Sequence, residues 1–174
     1  TPKGSCLSIH LKARPGSINS KPMKILCVCL GNICRSPMAE GIFKKLVNEN
    51  NLDWEVRSAG TNRHHKGDPA DSRTVTACQA QGLDIRSHIA RRLRSVDFDH
   101  YDVIFTMAGD VTEEMQEFIR SNADRKKVVN FLDVLYPGEE RSVPDPWYGG
   151  MKDFHECYKL VHLACEAWVE KFRK

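Results

Sequence analysis

No stretch of the 174 residues is apolar over anything near the ~20 positions that a helix needs to cross a bilayer, so a soluble chain without a membrane partner is expected. No secretory leader is expected from the residues at hand. Residues 1–22 carry neither a basic-then-apolar signal nor the amphipathic, Arg- and Ser-rich character of a transit peptide. They read as a flexible extension ahead of one domain at 23–174. There is no Cys-x-x-Cys pair, and the seven cysteines are an odd count without scaffold spacing. That excludes a disulfide framework and points to free thiols in a reducing, cytoplasmic setting. The seven histidines never fall at metal-ligand spacing, and adjacent His64 and His65 could not both turn to one site from a regular element. Neither metal nor cofactor is expected. An excess of charge of one sign is lacking as well, the net being only +3, which argues against nucleic acid as a partner. The one local basic cluster, Arg86 to Arg94 with four Arg and one His, reads as a solvated helix face.

What is present is concentrated near the front. Lys24 to Leu30 is a short, densely apolar run, suited to a parallel strand covered on both faces. Gly31 and Asn32 break it, since both tolerate left-handed backbone. Ser36-Pro37 then reads as a helix entry, Ser as the cap and Pro at the first position, followed by an amphipathic helix from Met38 to Asn50. Cys29 and Arg35 bracket the loop between strand and helix, with five residues between them. A strand, a tight loop and a helix N-terminus aim unpaired N–H groups at one point, which fits a tetrahedral oxyanion such as a phosphoryl group. Cys29 lies beneath that ring, Arg35 closes it, and Leu30, Gly31, Asn32, Ile33 and Cys34 supply the donors. Cys29 is therefore the expected thiolate nucleophile, since a helix N-terminus and a guanidinium both favour the charged form. Cys27 reads as a buried apolar residue, and Cys34 as close enough to capture an oxidised Cys29. Packing cysteines around a structural turn are the alternative, but packing explains neither Arg35 at that spacing nor Ser36-Pro37.

Downstream, strand and helix alternate. Strands are expected at Trp54–Ser58, Tyr101–Met107 and Lys127–Leu132, and helices at Asp71–Gln81, Val111–Arg120 and Asp153–Phe172. Cys157 and Cys165 fall on the apolar face of the last helix. Such alternation predicts an α/β domain with a parallel sheet, helices on both faces and ligands at the carboxyl ends of the strands. Asp145 sits between Pro144 and Pro146 in a Pro- and Gly-rich segment from Tyr136 to Gly150. Local sequence alone reads it as an ordinary Asp-Pro turn.

The run Val28-Cys-Leu-Gly-Asn-Ile-Cys-Arg-Ser-Pro-Met-Ala-Glu40 resembles the low-molecular-weight protein tyrosine phosphatase family. The likeness continues through Ser58-Ala-Gly-Thr61, Gly67-Asp-Pro69, His88-Ile-Ala-Arg-Arg92 and Asp145-Pro-Trp-Tyr-Gly149. It implies four parallel strands in the order 2-1-3-4 and hydrolysis of protein phosphotyrosine and small aryl phosphates without cofactor. It also implies a phosphocysteine on Cys29, phosphate bound by Arg35, and Asp145 as general acid and then base. Phosphate and other oxyanions would inhibit. Asn32, Ser36, Ser58 and His88 would form the hydrogen-bond shell, although Ser58 and His88 alone read as a strand-end Ser and a surface His. Trp147 and Tyr148 would form one wall of the substrate slot, where paired Tyr are usual, opposite His64, where Trp is common. Ala108 and Gly109 follow Met107 where an Asp is usual, so a supporting contact is either lost or supplied by Asp110. Arsenate reductases share this loop but need shuttle cysteines absent here. Arginine phosphatases typically carry Thr where Ile33 stands. A non-catalytic phosphate-binding module would need neither Cys29 nor Asp145.

Overall fold

The computed structural model describes residues 21–174. The expected extension therefore falls almost wholly outside the described residues, with Lys21 and Pro22 exposed at the domain edge. Strand β1 (Met23–Cys29) is flanked by β2 (Trp54–Gly60) and β3 (Val103–Thr106), and β4 (Val128–Asn130) pairs with β3. All pairings are parallel and the order is β2-β1-β3-β4, as expected. Successive strand residues point to opposite faces, and β1 is buried on both. Ile25, Cys27 and Cys29 face one cluster, while Leu26 and Val28 face another.

The first face is covered by α1 (Arg35–Glu49), α2 (Ser72–Gln79) and α6 (Met151–Phe172). There Phe43 stacks on Phe105 at 5.9 Å, and Phe105 meets Trp168 at 4.8 Å. The buried Trp168 indole donates to the Phe131 carbonyl at 2.7 Å, which satisfies its one polar atom. Cys157 and Cys165 are buried on α6 as expected. The second face is closed by α3 (Asp97–His100), α4 (Gly109–Met115) and α5 (Asn122–Lys127), with Phe98, Val111 and Met115 packed beneath.

Several boundaries shift for local reasons. Helix α2 is shorter than the apolar pattern suggests and is capped by Asp71, whose side chain accepts from the Arg73 N–H at 2.8 Å. Strand β4 stops at Asn130 because that side chain accepts from Leu132 N–H at 2.9 Å and starts a 3₁₀ turn. The Arg86–Arg94 helix is absent. That segment is turn and extended chain, with Arg92 bridging Gly60 and Ile89 bridging Pro69. Its backbone groups go to the sheet edge instead of to a helix: Gly60 N–H donates to Arg91 O at 2.8 Å, and Leu93 N–H to Gly60 O at 2.7 Å.

Candidate active site

Three segments converge at the carboxyl end of β1: the loop from Leu30 to Cys34, the end of β2, and the Val143–Tyr148 loop. Cys29 lies at the floor, with Sγ 3.0 Å from Ser36 Oγ and accepting from the Asn32 N–H at 3.3 Å. Asn32 adopts φ 60°, the left-handed turn its side chain tolerates. It ties the loop together. Its amide nitrogen donates to Ser36 Oγ (2.8 Å) and Ser58 Oγ (2.9 Å), and its Oδ1 accepts from the Arg91 N–H (2.9 Å). Its carbonyl accepts from His88 Nε2 at 2.8 Å. His88 is thus inward-facing and not a surface residue. Burial pulls its pKa down, against the opposing influence of the Asn32 carbonyl and Glu40.

Ser36 does not cap α1. The helix starts two residues earlier, at Arg35, with Cys34 at the cap position and no side-chain cap bond. The Ser36 hydroxyl is engaged by the thiol and by Asn32, so the helix's first N–H groups are left directed at the loop's hollow. Gly60 closes the packing from β2. A Cβ there would lie 2.5 Å from the Leu30 carbonyl oxygen, so no side chain fits.

Arg35 is only 4% exposed. Its Nη1 donates to the Val143 carbonyl at 3.0 Å, and its Nη2 lies 3.3 Å from Asp145 Oδ2. Asp145 Oδ1 in turn accepts from the Trp147 N–H at 3.1 Å, capping the 3₁₀ turn Pro146–Tyr148. The loop bearing Asp145 is pinned to the turn between β3 and α4 by Val143 N–H donating to Met107 O at 2.8 Å, and by Gly109 N–H donating to Ser142 Oγ at 3.0 Å. Asp110 bonds back to the Val111 N–H and takes no part in that tie.

The resulting cavity of about 200 Å³ has Cys29, Leu30, Gly31, Ile33, Cys34 and Arg35 at its base. Asp145, Trp147 and Tyr148 form one wall and Asn62, His64 and His65 the other. Both histidines reach it because they sit on a turn, not on a regular element. Burial pushes the Cys34, Cys78 and Cys157 thiols up to about 12 and raises Cys27 and Cys165 as well, which holds them as neutral thiols. No group of His, Cys, Asp and Glu among the described residues is arranged to hold a metal ion.

The descriptive model of the low molecular weight phosphotyrosine protein phosphatase family matches residues 24–174. The chain belongs to that family. Relatives carrying the family name include those of Schizosaccharomyces pombe (37% identical, covering 83% of this chain and 94% of that one) and Gallus gallus (35%, 84% and 94%). Among solved structures, a protein tyrosine phosphatase from Entamoeba histolytica with Hepes in its active site superposes with TM-score 0.79 at 37% identity, covering 86% of this chain and 96% of that one. Vibrio vulnificus Wzb in complex with benzylphosphonate gives 0.76 at 29%, covering 86% and 98%. This phosphatase is accordingly an enzyme of the family.

Two residues of the phosphatase site carry no local signal in sequence. Glu40, one turn along α1, accepts from Ser58 Oγ at 2.5 Å and lies 3.9 Å from His88 Nδ1. Arg73 is held by Asp71 (Nη2 to Oδ2, 2.9 Å) and donates to the Trp147 and Gly149 carbonyls at 3.1 and 3.3 Å. It thereby fixes the loop bearing Asp145 from 74 and 76 positions away.

Proposed function

We propose that this enzyme hydrolyses protein phosphotyrosine in two steps through a phosphocysteine on Cys29. The observation that carries this reading is the position of Cys29 Sγ: on the cavity floor, facing Ser36 Oγ and the Asn32 N–H, with Arg35 and Asp145 above it. The thiolate attacks phosphorus in line, and the S–P bond forms as the bond to the phenolic oxygen breaks. Arg35 takes two equatorial oxygens, its planar fork matching them bidentately, and the loop N–H groups stabilise the transition-state charge. Asp145 protonates the departing phenolate. As carboxylate it then takes a proton from water, which attacks phosphorus and returns Cys29 as thiolate. The hydroxyl of Ser36, oriented by Asn32, donates to the sulfur in its anionic form. Phosphate and related oxyanions would compete for the same ring.

Selectivity for tyrosine follows from depth, because the shorter phosphoserine would not bring its phosphorus to the cavity floor. Trp147 and Tyr148, edge-to-face at 5.1 Å, form an aromatic wall opposite His64, with Ile33 beneath. Stacking there is worth about 0.5–1.5 kcal/mol. Trp147→Ala should therefore raise KM for aryl phosphates several-fold while changing kcat little. An unchanged KM would place the slot elsewhere.

Cys34, buried beside the loop, is the proposed resolving thiol. Peroxide converts Cys29 to a sulfenic acid, and the Cys34 thiol displaces water to give a disulfide. Activity after mild peroxide should return with dithiothreitol in the wild type and return poorly in Cys34→Ser. Equal recovery would leave Cys34 a packing residue.

The test of the whole reading is metal-free turnover of phosphotyrosine peptide and aryl phosphate, alongside phosphoarginine and thiol-dependent arsenate. Turnover of the first two only is expected. Preference for either of the others would displace the reading.

A further inference from the structure

Arg91, Arg92 and Arg94 join Arg63 and Lys66 in a basic furrow leading out of the catalytic cavity. That cavity shares Asn62 and His64 with a neighbouring hollow, which also contains Arg63 and Arg92. Arg63 and Arg92 in turn line a third hollow that includes Lys66, Arg91 and Arg94. The three are continuous across the loop that follows β2.

Charge along this path is unbalanced. Arg91 and Arg94 share one carboxylate, Asp97, at 3.0 and 3.8 Å. Arg63, Lys66 and Arg92 have no ion-pair partner among the described residues. Arg92 is nevertheless held in place, donating to the Thr61 carbonyl at 3.2 Å with its guanidinium 5.1 Å above the Phe118 ring. It is ordered without being neutralised. Glu114 and Glu117 line the middle hollow with Arg63 and Arg92, Glu114 already bonded to the Thr61 hydroxyl, and Asp68 nearby is paired with His65 at 3.1 Å.

We propose that this furrow receives acidic residues flanking the phosphotyrosine of protein substrates, so that the enzyme prefers phosphotyrosines in acidic sequence. The proposal rests on the phosphotyrosine reading above. An extended peptide advances about 3.3 Å per residue, so carboxylates a few positions from the phosphotyrosine reach the cations while the ring occupies the slot. A small aryl phosphate fills the slot alone and is indifferent to the furrow. Complementary surface charge of this kind chiefly sets partner choice and encounter rate, and it weakens with salt as the Debye length falls to about 8 Å at 0.15 M.

The experiment compares phosphotyrosine peptides of equal length whose flanks are acidic, neutral or basic, together with a small aryl phosphate. Wild type should favour the acidic over the neutral peptide by about ten-fold in kcat/KM, the sum of a few exposed pairs, and less at high salt. The triple variant Arg63→Glu/Lys66→Glu/Arg94→Glu should reverse that order, while aryl phosphate turnover stays within about two-fold of wild type. The neutral triple variant, Arg63→Gln/Lys66→Gln/Arg94→Gln, should abolish the preference without reversing it, which keeps the test usable should the Glu variant fold poorly. Equal rates for acidic and neutral peptides in wild type, or a preference that survives both variants, would overturn the proposal. So would charge-dependent binding to phosphatidylserine vesicles without peptide selectivity, which would assign the furrow to a membrane surface. Loss of aryl phosphate turnover in wild type is a separate result, and contradicts the phosphatase reading itself.

Discussion

Cys29→Ser is expected to reduce turnover to background while leaving the fold and phosphate binding in place. The loss follows from chemistry. A serine hydroxyl stays protonated at neutral pH, and no base stands beside it, because its neighbours at 3.0 and 3.3 Å are another hydroxyl and a backbone N–H. Retention of the fold follows from the near-isosteric change at a 3% exposed position, where Ser36 Oγ and the Asn32 N–H can satisfy the new hydroxyl. The loop N–H groups and Arg35 remain, so phosphate should still stabilise the variant. At about 100 times its Kd, a ligand specific to the native state adds about 2.7 kcal/mol. The measurement is steady-state hydrolysis paired with thermal melts with and without phosphate. Near-wild-type activity would remove Cys29 from catalysis, and loss of the phosphate-induced shift would mean that sulfur, not the ring, holds the ligand.

Asp145→Ala should lower kcat about 10²–10⁴-fold for alkyl or unactivated aryl leaving groups, about 3–5 kcal/mol of barrier, and far less for strongly activated aryl phosphates. Activated leaving groups depart as stable anions and need little protonation. Alanine also removes a partner of Arg35 and uncaps the Pro146–Tyr148 turn, where Asp145 Oδ1 accepts from Trp147 N–H. Asp145→Asn separates these effects. Its amide oxygen can keep the cap, but it cannot deliver the proton. Both variants should show the same steepened dependence on leaving-group pKa. An equal loss across all leaving groups would make Asp145 a structural residue of the loop.

How much of this was legible in sequence depended on how local the signal was. The anion loop was readable because strand, Gly-Asn break and helix start are contiguous, and Cys29 and Arg35 lie on the same short stretch. The strand order came from the resemblance, not from periodicity, and the structure agrees with it. Ser-Pro at a helix start carries the same signature whether the hydroxyl binds the backbone or a thiol, so the sequence suggests a cap at Ser36 where the structure has a thiol partner. His88 looked exposed because its partners, Asn32 and Glu40, are 56 and 48 positions away in sequence. Arg73 gives no sign at all, and Glu40 none of its contacts with Ser58 and His88, for the same reason. The charges of Arg86–Arg94 suggest a solvated helix face, but the segment has no apolar periodicity to hold a helix against the core. Its backbone is committed to the edge of β2 instead.

The central claim is that phosphate passes through the sulfur of Cys29. The direct measurement is rapid acid quench of wild-type enzyme during turnover of an aryl phosphate, followed by peptide mass spectrometry. A phosphate should be found on the peptide containing Cys29, appearing before free phosphate accumulates and absent from Cys29→Ser. Turnover without phosphorylated enzyme, or phosphate carried by any other residue, would contradict the account.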